Sequence, residues 1–573
     1  MTPKQLSGTF LLAGMISCSL LWASGAAAQT APKCESLVET TISADRIALP
    51  TKGATITRAR MVTPAPTAAG ADAHPYCLIS GEIAPIDPAA PDIDFQLALP
   101  TNWNSKALML GGGGFDGVIP PVAQAYPLSP ANVPTLSPAN VPTAVALGYA
   151  VFGSDGGHEN ETPPSTTSVF DAGFFGNQEA YRNYIGDALK KTHDVAIAII
   201  ESAYGHRPTK AYFRGASRGG GEAIAVVARW PADWDGVVAW FPARDTVMTV
   251  LAMLHMTQSL AAPGAYLDLA KRDVLYRAGL EACDALDGVR DGIIGNEKGC
   301  RAKFDPATGS LNGVPLRCLE GRDTGDTCLS DAQIAALKQI EAPVTFEFMP
   351  GGARTFPGFN ILTADLGASE QSPFRPFVVA TTLGVTPPSF PAAEGNWAGV
   401  DLSDRFFRFA FAKDKAFNQL SVNLADPGPL VPRIQELARL DQVDDDLMEY
   451  ASRGGKLIII HGTGDMLISP RATEQYYEGL RARMGGGAVD RFLRFYEIPG
   501  FSHGASTVFN ARFDDLAVLE AWVERNEDPA QKQVVMDVGH AGRTRPLCLY
   551  PNWPKYKGSG DPNASSSFVC AQR

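Results

Sequence analysis

The sequence predicts an α/β architecture, a mostly parallel sheet flanked by helices and interrupted by one large insertion. Three observations predict it. Short apolar runs that read as buried strands alternate with runs of helical spacing from Phe95 to Trp240. That alternation lapses between residues 245 and 450 and resumes at Lys456. At 573 residues the chain also exceeds one ordinary core, and a core split by an insertion accommodates the excess. Hydrophobic residues make up 45% and charged residues 19%, which describes a globular chain rather than a disordered one.

In chain order, Lys4, an apolar run from Phe10 to Trp22 and Ala26-Ala27-Ala28 before Gln29 read as a signal peptide over residues 1–28. The run is shorter than the roughly 20 apolar residues of a membrane span, and no later segment qualifies, so an exported protein without a membrane partner is expected. Residues 29–75, rich in Ala, Thr and Pro, read as an irregular lead-in with a few strands. Ala107–Leu110 and Tyr149–Phe152 read as strands running into Gly111–Gly114 and into Gly153–His158. Between them the octet Leu-Ser-Pro-Ala-Asn-Val-Pro-Thr occurs twice, at 128–135 and 136–143, and its prolines make it a duplicated surface loop. A helix is expected from Tyr184 to Tyr204, a strand at Ala211–Phe213, a Gly-rich turn, a helix from Glu222 to Arg229 and a strand at Val237–Trp240. Lys456–Ile460 and Phe492–Tyr496 read as two late strands, followed by a final helix and a disulfide-pinned tail. The organisation expected is a first core part over 29–244, an inserted lid over 245–450 and a second core part over 451–573.

The net charge of -12 argues against nucleic acid as a partner, because phosphate binding needs a basic face. Of nine cysteines, Cys18 falls in the signal peptide. Cys34, Cys77, Cys283, Cys300, Cys318, Cys328, Cys548 and Cys570 remain, an even number that reads as four disulfides in an exported chain, with connectivity open.

The chemistry concentrates at Gly215-Ala216-Ser217-Arg218-Gly219. A G-x-S-x-G arises by chance in a chain with 56 glycines, but this one sits between a strand and a helix. That context marks the nucleophile elbow of an α/β-hydrolase core. A serine hydroxyl needs a base, and the base a carboxylate that fixes its tautomer. In this fold class the order is serine, acid, histidine. Asp465 and His503, each on a turn after a late strand, fit that order, whereas His540 lies in the tail. The charge that develops on a carbonyl oxygen requires two backbone N–H donors, expected from Arg218 and from Gly114 of the glycine loop. A phosphate-cradling role for that loop is weaker, since no Lys-Ser/Thr follows.

Asp284, Asp287 and Asp291 place three carboxylates within eight residues, and hard oxygen ligands with glycine-permitted turns suit calcium. The spacing also fits a solvated helix face, against which Gly288 and Gly292 count. The stretch Asp404–Phe411 reads as core packing of a lid helix, with pocket lining as the alternative; Arg405 and Arg408 could then meet a substrate carboxylate.

Taken together, these residues resemble the tannase and feruloyl esterase family, which includes hydrolases of gallate, ferulate and monohydroxyethyl terephthalate esters. The motifs that carry the likeness are Gly111–Gly114, Ser154–His158, the elbow at Ser217, Cys283–Gly288 with Phe304-Asp305-Pro306, His461-Gly462 through Asp465, and Arg543–Cys548 through Tyr556-Lys557-Gly558. The resemblance implies an α/β-hydrolase core with a lid. It implies a structural calcium ion bound by side chains of Asp284, Asp287 and Asp291 and by carbonyls of Val289 and Ile293, and no organic cofactor. It also implies disulfides Cys34–Cys77, Cys283–Cys300, Cys318–Cys328 and Cys548–Cys570. One departure stands out. The family usually carries a cysteine immediately before the serine and another immediately after the histidine, joined to each other; here those positions are Ala216 and Gly504.

The expected function is hydrolysis of small aromatic acid esters through an acyl-enzyme. An amidase or peptidase on the same residues, or a catalytically silent ligand-binding relative, are the alternatives. Acyl group, alcohol and oligomeric state stay open.

Overall fold

The computed structural model describes residues 34–64, 74–123, 142–160, 171–367, 369–393, 395–443, 446–530 and 533–572. The expected signal peptide lies outside them, as does the duplicated octet except for residues 142–143.

Apolar runs with buried residues on both faces can satisfy their backbone only by pairing, and they pair into one ten-stranded sheet. Its strands are β1 (Thr41–Ile42), β2 (Gly53–Val62), β3 (Tyr76–Ala84), β4 (Ile93–Pro100), β5 (Lys106–Leu110), β6 (Ala150–Ser154), β7 (Lys210–Ala216) and β8 (Gly236–Trp240), joined by Lys456–Gly462 and Leu493–Ile498. They lie in the order β1-β2-β3-β4-β6-β5-β7-β8, then Lys456–Gly462, then Leu493–Ile498. From β6 onward all neighbours are parallel, while β1 to β4 extend the sheet antiparallel. Every residue of β6, β8 and Leu493–Ile498 is buried, as expected where helices cover both faces.

Adjacent residues on a strand serve opposite cores. Val237, Leu457 and Ile459 pack with Ile197, Ile200 and Val226 on one face. Val238, Ile458 and Ile460 pack with Leu519 and Trp522 on the other. The chain leaves the sheet after β8 and returns at Lys456, directly beside β8, with Lys456 opposite Gly236 and Ile460 opposite Trp240. The intervening segment carries helices including Thr246–Ala261, Leu269–Cys283, Asp331–Glu341 and Val431–Asp441. Its apolar core also takes in Phe115, Phe174, Phe175 and Tyr184 from before β7.

Several local expectations change. Most of the described lead-in before residue 64 is not irregular: β2 pairs with β3 from Gly53 opposite Ala84 to Val62 opposite Tyr76. The helix expected from Tyr184 begins with a π turn, Asn183–Asp187, kinked at Gly186 (φ 144°), and becomes regular over Ala188–Tyr204. The helix expected from Glu222 begins at Arg218, because Gly219, Gly220 and Gly221 are helical residues. They serve close packing: a Cβ at Gly220 would stand 2.3 Å from Trp240 O, and one at Gly221 2.2 Å from Ala243 O. After the final helix, Asp515–Arg525, the tail forms short strand pairs.

The four disulfides join Cys34 to Cys77, Cys283 to Cys300, Cys318 to Cys328 and Cys548 to Cys570, as the resemblance implies. Among the described residues no helix is long and apolar enough to cross a membrane.

A buried ion pair fixes the two central strands to the final helix. Arg214 on β7 donates Nε to Asp515 Oδ1 at 2.8 Å and Nη2 to Oδ2 at 2.9 Å, and Trp240 Nε1 on β8 donates to Oδ2 at 2.5 Å. Asp515 opens its helix, where the backbone N–H groups favour a carboxylate. Removing one partner of such a pair strands a buried charge, so Asp515→Ala should lower unfolding free energy by about 3–5 kcal/mol in guanidinium titrations. An unchanged midpoint would refute the structural role of this pair.

Candidate active site

The elbow forms because glycines let the helix Arg218–Arg229 settle on β7 and on the glycine loop. A Cβ at Gly215 would stand 2.1 Å from Gly219 O, and one at Gly219 would stand 2.7 Å from Gly112 O. Both distances are too short for any side chain. Between them Ser217 is held at φ 60°, ψ -120°, a sparsely populated conformation for a non-glycine residue. Backbone bonds hold it there: Ser217 N donates to Trp240 O at 3.0 Å, and Ser217 O accepts from Ala243 N at 2.8 Å and Gly221 N at 3.0 Å.

His503 Nε2 lies 3.0 Å from Ser217 Oγ, and its Nδ1 lies 2.7 Å from Asp465 Oδ2. A carboxylate only accepts, so the proton of neutral His503 sits on Nδ1 and Nε2 faces the hydroxyl as an acceptor. Asp465 is fully buried. Its Oδ1 accepts from the amides of Leu467 and Ile468, each at 2.9 Å. Burial by itself would raise its carboxyl, but the adjacent His503 and hydrogen bonds from His461 and His503 hold it well below the ordinary carboxylate range. The three sequence-derived residues thus meet in one hydrogen-bonded line, geometry that can move a proton from hydroxyl to imidazole.

Sequence reading missed the groups around that line. His461 Nε2 lies 3.3 Å from Asp465 Oδ2 and 3.1 Å from Ile468 O, while Nδ1 lies 2.9 Å from Thr473 Oγ1. The sequence offers His461 only as the start of the stretch through Asp465 that carries the likeness, four residues before the acid, and gives it no role. The Phe241 ring packs 4.7 Å from the His503 ring, and Phe241 itself sits at φ 32°.

The glycine loop lies against the elbow. Gly219 N donates to Gly112 O at 3.2 Å, Gly112 N donates to Glu222 Oε2 at 3.0 Å, and Gly114 adopts φ 63°. The amides of Gly114 and Arg218 donate to no acceptor among the described residues. The Arg218 guanidinium points into the core, stacking 4.3 Å from the Tyr184 ring centre and donating to Tyr184 O at 2.5 Å. Asp116, buried behind the loop, is pushed well above the ordinary carboxylate range by burial and then by the charge of Glu222.

In the acidic loop, Asp284 accepts from the amides of Asp291 and Gly292, and Asp287 from that of Val289. Burial, then the charges of Asp291 and Asp284, push the Asp287 carboxyl up to about 7. Asp291 accepts from the Arg545 guanidinium. Gly288 (φ 97°) and Gly292 (φ 81°) make the turns. Among the described residues, the group of three ligand side chains whose atoms lie within 4.8 Å of one another is a different one, His193, Asp194 and Asp233. Lys190 Nζ already bridges its carboxylates at 2.8 and 2.7 Å.

Phe406, Phe407 and Phe411 are buried core residues on a π turn, and Arg405 and Arg408 pair with Asp401 and Asp404 at 2.8 Å each. These arginines are committed to carboxylates four residues earlier in the chain.

A protein-family model described as tannase and feruloyl esterase matches residues 77–571. An uncharacterized esterase of Agrobacterium fabrum is 34% identical over 555 residues, 94% of this chain and 93% of that protein. The mono(2-hydroxyethyl) terephthalate hydrolase of Piscinibacter sakaiensis is 31% identical over 556 residues, 88% of this chain and 87% of that protein. The crystal structure of feruloyl esterase B from Aspergillus oryzae shares the fold, with a TM-score of 0.71 at 19% identity over 91% of this chain and 98% of that one.

Replacing Asp465 by Asn keeps its size but offers His503 a mismatched partner, so kcat for ester turnover should fall by about 10,000-fold. A variant as fast as the wild type would show that Asp465 does not orient the base.

Proposed function

The chain belongs to the tannase and feruloyl esterase family and is a carboxylic ester hydrolase, and from that premise we propose that Ser217, His503 and Asp465 form its catalytic triad. The observation that carries this reading is the unbroken line from Asp465 Oδ2 through His503 to Ser217 Oγ, at 2.7 and 3.0 Å.

Ser217 Oγ attacks the ester carbonyl while His503 Nε2 takes its proton. The oxyanion rests on the amides of Gly114 and Arg218, each donor contributing about 3 kcal/mol of barrier reduction. His503 returns the proton to the departing alkoxide, and the alcohol leaves. Water, deprotonated by the same nitrogen, then attacks the acyl-serine and releases the acid. The acyl groups are proposed to be aromatic acids, a reading supported by the relatives named for terephthalate and ferulate esters. Four disulfides and the signal-like N-terminus support export to an oxidising compartment.

Calcium is proposed as a structural ion of the acidic loop. The donor set is all oxygen, namely the carboxylates of Asp284, Asp287 and Asp291 and the carbonyls of Val289 and Ile293. The like charges that raise Asp287 are those a cation would neutralise, with Asp291 shared between the loop and Arg545.

Ser217→Ala should reduce hydrolysis of aromatic nitrophenyl esters at least about 1000-fold and abolish labelling by a fluorophosphonate; undiminished turnover would end the triad assignment. For calcium, metal analysis of purified protein should find about one equivalent, and chelation should lower the unfolding temperature. Without the ion, a carboxyl raised to about 7 in the folded state makes stability fall as pH rises from about 4 to 7, and Asp287→Asn should remove that component. A protein free of metal, with the same pH dependence in wild type and Asp287→Asn, contradicts the site.

A further inference from the structure

The segment carrying the catalytic histidine is tied to the inserted lid by one buried carboxylate. Asp365 lies in the lid segment 360–367 and is 2% exposed. Its Oδ2 accepts from Thr507 N at 2.5 Å, and its Oδ1 accepts from Thr507 Oγ1 at 2.7 Å. The Ser506 hydroxyl stands 3.1 Å from Oδ2 and 2.6 Å from Gly500 O. Both bonded residues lie within four positions of His503.

The other charged ties of this segment lie farther along the chain from His503, where the Arg543 guanidinium donates to Val508 O and Asn510 N donates to Asp537 Oδ1 at 2.9 Å, while further ties are neutral. Ser506 N donates to Asn510 Oδ1 at 2.9 Å, Asn510 Nδ2 returns a bond to Ser506 O at 2.7 Å, and Ser502 Oγ donates to Gly464 O at 3.1 Å. Hydrogen bonds to a carboxylate are roughly twice as strong as neutral ones, and Asp365 supplies such bonds at Ser506 and Thr507, nearer His503 in the chain than the ties at Val508 and Asn510. Asp365 is itself anchored, because Gly367 N donates to its Oδ1 at 3.0 Å and Arg375 Nε donates to Gly367 O at 2.8 Å.

The same lid segment holds the acid's turn. Asn360 Nδ2 donates to Thr463 O at 3.0 Å, and a Cβ at Gly464 would lie 3.6 Å from Asp365 N. One stretch of lid therefore braces the turn before Asp465 and the turn after His503. No disulfide joins the serine and histidine loops here, with Ala216 and Gly504 at the flanking positions, so non-covalent ties carry the load.

We infer that Asp365 is a positioning residue for His503, a lid-borne carboxylate that clamps the histidine loop so that its imidazole meets both Ser217 and Asp465. The inference rests on the triad reading. It places the geometry of the base under control of the lid: whatever moves segment 360–367 moves the base.

The test uses the full chain, with a nitrophenyl ester for turnover and a fluorophosphonate for the rate and endpoint of Ser217 labelling. Asp365→Asn should lower kcat by about 10- to 100-fold with KM within about twofold, because displacement of a catalytic group by around 1 Å costs rate rather than substrate binding. Labelling should slow in proportion yet reach the wild-type endpoint, which a fraction of unfolded protein would not do. Thr507→Val, which also loses the bond from Ser369 N to Thr507 Oγ1 at 3.4 Å, should slow kcat about 3- to 10-fold, and the double variant should be within about threefold of Asp365→Asn, since both substitutions break the Asp365–Thr507 contact. If Asp365→Asn does not fold, Thr507→Val decides alone, and kcat within about twofold of wild type overturns the clamp. An active wild type with an equally active Asp365→Asn overturns this inference and leaves the triad standing. A wild-type chain that neither turns over esters nor labels overturns the triad reading itself.

Discussion

The backbone of Ser217 at φ 60°, ψ -120° is the constraint on which the site depends. A conformation of this kind costs of order 1–3 kcal/mol and persists only where the surroundings over-determine it. The surroundings do so through contacts that only glycine permits, with the helix Arg218–Arg229 seated on β7 at Gly215 and on the glycine loop at Gly219. That close seating sets the start of the helix against the glycine loop, where Gly219 N donates to Gly112 O at 3.2 Å, with the Ser217 hydroxyl 3.0 Å from His503 Nε2. The proposed nucleophile and the region proposed for the oxyanion thus rest on one packing event. The Arg214–Asp515–Trp240 pairing stiffens the two strands on which that event rests.

His503 and Asp465, the proposed base and acid, are assembled differently. Each sits on a turn after a late parallel strand, and each turn is braced by side chains from elsewhere. Asp465 is locked by two amides and two imidazoles, so its carboxylate stays ionised in a site where burial alone would favour protonation. Phe241 packs against the His503 ring, and the lid reaches across to both turns. The inserted segment is therefore part of the framework that holds both turns, consistent with a core that runs from its helices into Phe115 and Phe174.

Much of this was legible in the chain. Buried parallel strands read as unbroken apolar runs, and Lys456–Gly462 and β8 announced themselves that way. The order of serine, acid and histidine followed from which turns end those runs. Other features were hidden by the physics of close packing. The triple glycine after Arg218 reads as a turn because glycine usually marks one, yet here it marks helix-to-backbone contact. β2 was obscured by Thr and Arg on its exposed face, which dilute the apolar signal of a half-exposed antiparallel strand. His461 was legible only as part of the stretch from His461 to Asp465 that carries the likeness, with no role attached, and Asp365 left no trace, because a single polar residue in an apolar stretch or a loop looks the same whether it meets the solvent, the core or a buried carboxylate.

The central claim is that the hydroxyl of Ser217 forms a covalent bond to the acyl group during turnover. Rapid quenching of the wild-type chain with an aromatic nitrophenyl ester, followed by mass analysis of the peptide that carries Ser217, tests it directly. A burst of nitrophenolate near one equivalent is expected, with an acyl mass on Ser217 that decays at the steady-state rate. Sustained ester turnover with no burst and an adduct on some other residue would contradict it.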